Sequence, residues 1–251
     1  MKIVQPGYEI LRPYALSDEN KLAIYRAIEL PARTCYKSEA RITSESAAPM
    51  VAALVKNGHE AMLEHANMTV KFIVDRGVSH ELVRHREASF AQESTRYCNY
   101  GAEKFGHDIS FVNPCGGLEL DPKHAAFFEK DDPEVCADWL GHQFLLWKQA
   151  CTAAEQRYFA LLDQGVSPQM ARGVLPNALK TEVVLTANIR EWRHILRLRA
   201  ANATGPAHPQ MLEVMVPLLI TLSGYMPELF LDILEEGKAR WPLFLRHYFG
   251  L

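Results

Sequence analysis

The chain has no run of 18 apolar residues, so no helix that crosses a bilayer is expected. The first stretch, "MKIVQPGYEILRPY", has no apolar core of the kind that directs secretion. Cysteine is scarce: Cys35, Cys98, Cys115, Cys136 and Cys151 make five, an odd count at irregular spacing with no CxxC pair. That argues against a disulfide framework and a zinc knuckle, and the expected compartment is a reducing cytoplasm. No GxGxxG follows a strand and no GxxxxGK[ST] occurs, which leaves a Rossmann site or a P-loop without support. "HELVRH" places its second histidine at i+5, off the face of the first, with Arg84 at i+4; no resident metal is expected. An excess of positive charge is also missing. Twenty-seven Lys and Arg stand against 30 Asp and Glu, a net charge of -3. A protein that coats a nucleic acid polymer is normally basic, so neither such a polymer nor a membrane is the expected partner, and any anion site must be local.

What is present reads as one α+β domain over residues 1–251, mostly helical with a small antiparallel or mixed sheet. Ser17 is a good N-cap for a helix over 18–30, which Pro31 is expected to end. Gly58 closes a second helix. "ANMTVKFIV" alternates, with Met68, Val70, Phe72 and Val74 on one face of a half-buried strand; "TEVVLTAN" does the same through Val183, Leu185 and Ala187. "ISFV" is a short strand. The strongest helix is predicted over 134–163, with an apolar stripe from Leu140 to Leu161 that includes Cys151 and Tyr158. "REWRHILRLRAA", "HPQMLEVMVPLLITLSGY" and "PELFLDILEEG" complete the helices. Residues 101–132, rich in Gly and Pro, are the least regular.

Two clusters of cations then stand out. "RHREASFAQESTRY" holds Arg84, His85, Arg86 and Arg96. "NIREWRHILRLR" holds Arg190, Arg193, His194, Arg197 and Arg199, with Arg190, His194 and Arg197 on one side of a helix. A solvated cationic helix normally interleaves acids four residues apart, and here only Glu191 is available. The bland alternative is two exposed basic faces. Two such clusters in an acidic protein favour a phosphate-bearing ligand, since the guanidinium fork donates two parallel hydrogen bonds. A rival, an RNA-binding module stacking bases on Tyr97, Tyr100 and Phe105, lacks any recognisable signature. Neither Cys98 nor Cys151 stands out as a nucleophile.

The signature "RHREASFAQESTRY" resembles that of the flavin-dependent thymidylate synthases: Arg84, His85, Arg86, seven residues, then Ser94, followed by Arg96 and Tyr97. "ARTCY", "GHEAMLEH", "ARGVLPN", "NIREWRHILRLR" and "AHPQM" resemble other segments of that family, in the same order. The resemblance implies a homotetramer with active sites at subunit interfaces. It implies bound FAD, with dUMP, methylene-tetrahydrofolate and NADPH as substrates. By position it implies flavin contacts for His59, Glu64, Arg84, His85, Arg86, Gln92, Asn188, Arg190, His194 and His208. It implies nucleotide contacts for Glu81, Arg84, Gln92, Glu93, Ser94, Thr95, Arg96 and Arg172, and it makes Arg199 the cation that polarises uracil. A different pyrimidine nucleotide as acceptor is the second reading.

Overall fold

A computed structural model describes residues 1–121 and 133–251 of the chain. Among these, the strands are β1 (Lys2–Val4), β2 (Gly7–Arg12), β3 (Asn67–Asp75), β4 (Ala88–Gln92), β5 (Ser110–Val112) and β6 (Lys180–Asn188). The helices are α1 (Asp18–Cys35), α2 (Ala47–Lys56), α3 (Arg76–Leu82), α4 (Cys115–Leu120), α5 (Pro133–Asp163), α6 (Pro168–Ala171), α7 (Ile189–Arg199), α8 (Pro209–Tyr225), α9 (Pro227–Arg240) and α10 (Leu243–Tyr248). The fold is α+β and mostly helical. An antiparallel four-stranded sheet has the order β2-β3-β6-β4, and β1 pairs in parallel with β5, Ile3 opposite Phe111. None of the described helices is long and apolar enough to cross a membrane.

The chain divides into two compact units, each built from three separated segments. The first comprises Met1–Gly7, Phe72–Arg84 and Ala91–Val183; the second comprises Tyr8–Lys71, His85–Phe90 and Val184–Leu251. β3 and β6 contribute residues to both.

Alternation places the strand residues as expected. Met68, Val70, Phe72 and Val74 are buried along β3, and Val183, Leu185 and Ala187 along β6. In the first unit, Phe111 of β5 joins Tyr100, Cys151, Tyr158 and Leu179 in a buried cluster. Cys151 is thus a core residue, its thiol pKa pushed up to about 11 by burial. In the second unit, Trp192, Ile195 and Leu196 of α7 are fully buried, as are Met211, Leu218 and Leu219 of α8 and Phe230 and Ile233 of α9. The Trp192 indole donates to the Met68 carbonyl at 2.9 Å, which settles the one polar atom of a large buried side chain.

Three local outcomes depart from the sequence reading. Ser17 does cap α1, its hydroxyl accepting from the Asn20 N–H at 3.2 Å. Pro31 does not end the helix, which runs on to Cys35. Proline removes one backbone donor, but burial of Ile28 and Ala32 and the Arg33–Glu29 ion pair at 3.0 Å hold the next turn in helical geometry. β4 lies inside the cationic signature, where no strand was expected; its short alternation of half-buried Ala88, Phe90 and Gln92 is the weak signal. α4 falls within the stretch read as irregular, whose residues 122–132 lie outside the described part.

Gly237 of α9 has a packing reason to be glycine. A Cβ there would sit 2.7 Å from the Trp241 ring, whose Nε1 donates at 2.8 Å to the carbonyl of Ala200, the residue after α7. Gly237→Ala is expected to push this indole off that carbonyl and cost about 1–3 kcal/mol by overpacking; urea unfolding of the variant checks it.

Candidate active site

In the second unit, α7 begins where β6 ends. Asn188 is its N-cap, with Oδ1 accepting from the Glu191 N–H at 2.8 Å. Arg193 is the anchor. Its side chain is 2% exposed, and its guanidinium donates to both carboxylate oxygens of Asp232 at 2.9 and 2.7 Å and to the Leu229 carbonyl. Arg197 also pairs with Asp232 and with Glu236, and Arg190 pairs with Glu64 at 2.6 Å. Glu60 lies 3.5 Å from both Arg193 and Arg197. The acids missing from the helix's own i,i+4 positions therefore come from residues 60–64 and from α9. Of the polar groups of "HEAMLEH", Glu60 and Glu64 face these arginines.

A cavity of about 480 Å³, within the usual range for a small organic ligand, is lined by Glu60, Glu64, Glu87, Asn188, Arg190, Glu191, His194 and Arg197. Four carboxylates against two guanidiniums make a poor phosphate cradle. The lining suits hydrogen bonding to a neutral heterocycle, with exposed His194 and the Asn188 amide as donors or acceptors. This corrects the expectation that the α7 arginines as a group serve an anion. His59 and His208 are exposed, at the start of the 60–65 turn and at the N-cap of α8.

Beside this cavity, His85 is buried, 6% exposed. Arg199 Nε donates to its Nε2 at 3.1 Å, and Glu191 Oε1 lies 3.5 Å from its Nδ1. Burial, then the charges of Arg199 and His194, lower the His85 pKa to about 4. His85 is therefore neutral near pH 7, and its contact with Glu191 joins a carboxylate to an uncharged imidazole. Burial raises the Glu191 pKa. His85, Glu191 and His194 bring ligand atoms within 4.8 Å of one another, but Nε2 of His85 is engaged by a guanidinium, which opposes a cation there. Arg84 ends its segment of the first unit, while Arg86 follows His85; both are exposed.

The first unit holds a different arrangement. After β4, Ser94 turns the chain: its Oγ accepts from the Arg96 N–H at 3.3 Å and its carbonyl from the N–H groups of Tyr97 and Cys98. Thr95 is buried, and its hydroxyl accepts from Arg172 Nη1 at 2.9 Å. Both line a cavity of about 330 Å³ together with Arg76, Gly173, Leu175, Pro176, Asn177 and Leu179. Arg76 was not singled out in the sequence. Its buried Nη1 has no hydrogen-bond partner, which is costly unless an acceptor arrives. Two guanidiniums with no lining carboxylate suit a phosphate. The available signal was an arginine at N1 of α3, directly after the Asp75 cap.

Around this turn, Gln92 donates to the hydroxyls of Ser79 and Thr181 at 2.9 and 3.2 Å. Glu93 accepts from Tyr100 at 3.1 Å and from Lys180 at 3.1 Å. Burial opposes the charge on Lys180, but its hydrogen bonds to Glu182 and Glu93 outweigh this and raise its pKa. Gln92 and Glu93 thus brace the turn from below. Arg96 is exposed and lies over the Tyr97 ring at 5.2 Å. Glu81 sits on α3, on the same short helix as Ser79.

The depressed His85 pKa has a pH consequence. Between about pH 6.5 and 4 the unfolded chain takes up a proton that folded His85 refuses. Stability contributed by the neutral ring is complete above that window and lost as pH falls through it, by up to about 3 kcal/mol. His85→Gln is expected to flatten this acid slope; urea unfolding at a series of pH values measures it.

Comparison with known proteins follows the same residues. The sequence model described as "Thymidylate synthase complementing protein" matches residues 21–228. A flavin-dependent thymidylate synthase of Geobacter sulfurreducens is 30% identical over 213 residues, covering 82% of this chain and 80% of the relative. One from Mycolicibacterium vanbaalenii is 32% identical over 217 residues, covering 84% and 81%. A crystal structure of PolB from Streptomyces cacaoi, a UMP/dUMP methylase bound with 5-Br dUMP, superposes with a TM-score of 0.66 at 25% identity, covering 95% of this chain and 97% of that one. With the RHR signature, the arginine cradle and the His85–Arg199 pair all carried on segments inside that match, the chain belongs to the flavin-dependent thymidylate synthase family.

Proposed function

We propose that the chain, acting as one catalytic domain over residues 1–251, converts dUMP to dTMP. The proposed carbon donor is methylene-tetrahydrofolate, and NADPH is the reductant of a bound FAD. The observation that carries this reading is the chemical contrast between the two cavities. The Arg76–Thr95–Arg172 cradle is cationic and holds a buried, unpartnered guanidinium nitrogen, as a nucleotide phosphate needs. The cavity beside His85 is polar with carboxylates in excess of guanidiniums, which suits an uncharged flavin ring rather than a phosphate.

FAD, when bound, supplies the hydride chemistry. The residues that would hold it are His59, Glu64, Arg84, His85, Arg86, Asn188, Arg190, His194 and His208. Arg76, Ser94, Thr95, Arg96 and Arg172 would grip the phosphate of dUMP, with Glu81 and Arg84 nearby in role. Gln92 and Glu93 support the turn that presents Ser94 and Thr95. Arg199 would act on the uracil. Carbon 5 of the ring is a weak nucleophile, and a fixed guanidinium stabilises the negative charge that develops on the ring as it attacks. Neutral His85 accepts one N–H of Arg199, which orients the guanidinium.

A homotetramer with sites completed by neighbouring subunits is part of the proposal, supported by the family and by the exposure of Arg84, Arg86 and Arg96. UMP as an alternative acceptor has one specific observation in its favour, the likeness to a UMP/dUMP methylase.

Purified protein supplied with FAD should show a flavin spectrum and release tritium from 5-labelled dUMP in the presence of NADPH and the folate donor. No release under these conditions would overturn the reading; faster release from UMP would move it to the second acceptor. Arg199→Ala should keep the flavin spectrum while kcat falls by about 100- to 1,000-fold. Arg76→Ala should instead weaken dUMP binding, by roughly 10- to 100-fold for a lost charged hydrogen bond. Co-expressing Arg172→Ala and Arg199→Ala chains should restore part of the activity if the subunits share sites; light scattering gives the oligomer size.

A further inference from the structure

Glu191 has no part in the roles assigned so far, and its surroundings are unusual for a carboxylate on an arginine-rich helix. Glu60 and Glu64 each face arginines. Glu191 forms no ion pair with Arg or Lys among the described residues; it faces His85. Both side chains are largely buried, 11% and 5% exposed.

We propose that Glu191 is a positioning residue: it holds His85 as the Nδ1–H tautomer, and His85 in turn fixes the Arg199 guanidinium through Nε. The inference rests on the reading of Arg199 as the group that acts on the nucleotide ring. A neutral imidazole carries one N–H. Nε2 of His85 accepts from Arg199, so the proton belongs on Nδ1, the nitrogen that Glu191 Oε1 faces at 3.5 Å. In the other tautomer an Nε2–H would meet the Arg199 N–H, donor against donor, and Nδ1 would turn a lone pair toward a carboxylate. Both contacts would be repulsive, so the carboxylate and the guanidinium select the same state from opposite sides of the ring. Glu191 is itself fixed, because its backbone N–H is held by the Asn188 cap at the first turn of α7. The remaining charged or titratable neighbours of the pair are His194, whose ring meets that of His85 edge-on at 6.0 Å, and Glu87 and Arg190 near Glu191.

The same logic separates the two obvious substitutions. Gln keeps a carbonyl oxygen that can accept from Nδ1–H. Ala keeps nothing, and it frees the ring to reorient.

Nitrogen-15 spectra of the full chain labelled at histidine, with His85 assigned through its loss in His85→Gln, should show Nδ1 protonated and Nε2 bare. Glu191→Ala should mix or reverse this pattern. It should also lower kcat on dUMP by roughly 10- to 100-fold, the usual effect of removing a partner that orients a functional imidazole, with dUMP affinity little changed. Glu191→Gln should restore both the tautomer and most of kcat. A wild-type ring protonated at Nε2 would overturn the proposal, as would a Glu191→Ala variant whose tautomer is unchanged or whose kcat equals that of the wild type. If the wild type does not turn over dUMP but the tautomer still responds to Glu191→Ala, the assigned reaction fails while the control of His85 by Glu191 stands.

Discussion

The buried guanidinium of Arg193 is the constraint from which the second unit's chemistry follows. A cation 2% exposed is tolerable only with its charge matched; Asp232 and the Leu229 carbonyl of α9 engage its two terminal nitrogens, and Nε lies 3.5 Å from Glu60. The pairing sets the rotation of α7 about its axis. Once Arg193 points inward with Trp192, Ile195 and Leu196, the side chains of Arg190, Glu191 and His194 have no choice but to face the cavity. Asn188 fixes where the helix starts, and Ala200 receives the Trp241 indole where it stops. The functional side chains are held by a helix clamped at its middle and both ends.

Electrostatics then divides the labour between the two cavities. Around α7 nearly every positive charge is answered by a carboxylate from elsewhere in the chain, and the one imidazole buried there stays neutral. Arg199 donates from Nε to that uncharged ring. In the first unit the balance is reversed. Arg76 and Arg172 line their cavity with no acid beside them, and the buried Nη1 of Arg76 waits for an acceptor. A weakly charged ring and a strongly charged phosphate ask for these two environments respectively.

The periodic parts of the fold were legible in the sequence because their cause is local. Alternation in β3 and β6 and the apolar stripe of the long α5 helix each state a burial pattern directly. Pro31 misled because the force that carries α1 past it is tertiary, the burial of Ile28 and Ala32. The RHR signature and the α7 arginines could be found as residues but not as roles. Nothing in "NIREWRHILRLR" reveals that Arg193 and Arg197 are taken up by Asp232 and Glu236, almost 40 residues away in sequence, while Arg199 meets an imidazole. Arg76 escaped notice because a single arginine at a strand-to-helix junction is unremarkable until its buried nitrogen is seen to lack a partner. Glu191 was visible only as the one acid on a basic helix, and its significance depends on a 3.5 Å distance to His85.

The strict alternation of β3 ends at Asp75, and Arg76 follows at once as the first residue of α3. The strand therefore works as a ruler for the cradle. Inserting or deleting one residue between 67 and 75 would turn every side chain beyond it to the opposite face of the sheet, and Arg76 with its cap would be carried away from Thr95 and Arg172. The segment from Asn202 to Ala207, a surface turn with a left-handed Asn202 whose side chain accepts from the Ala207 N–H, faces no such requirement. Length variation in this chain should be tolerated in that turn and refused in the strand.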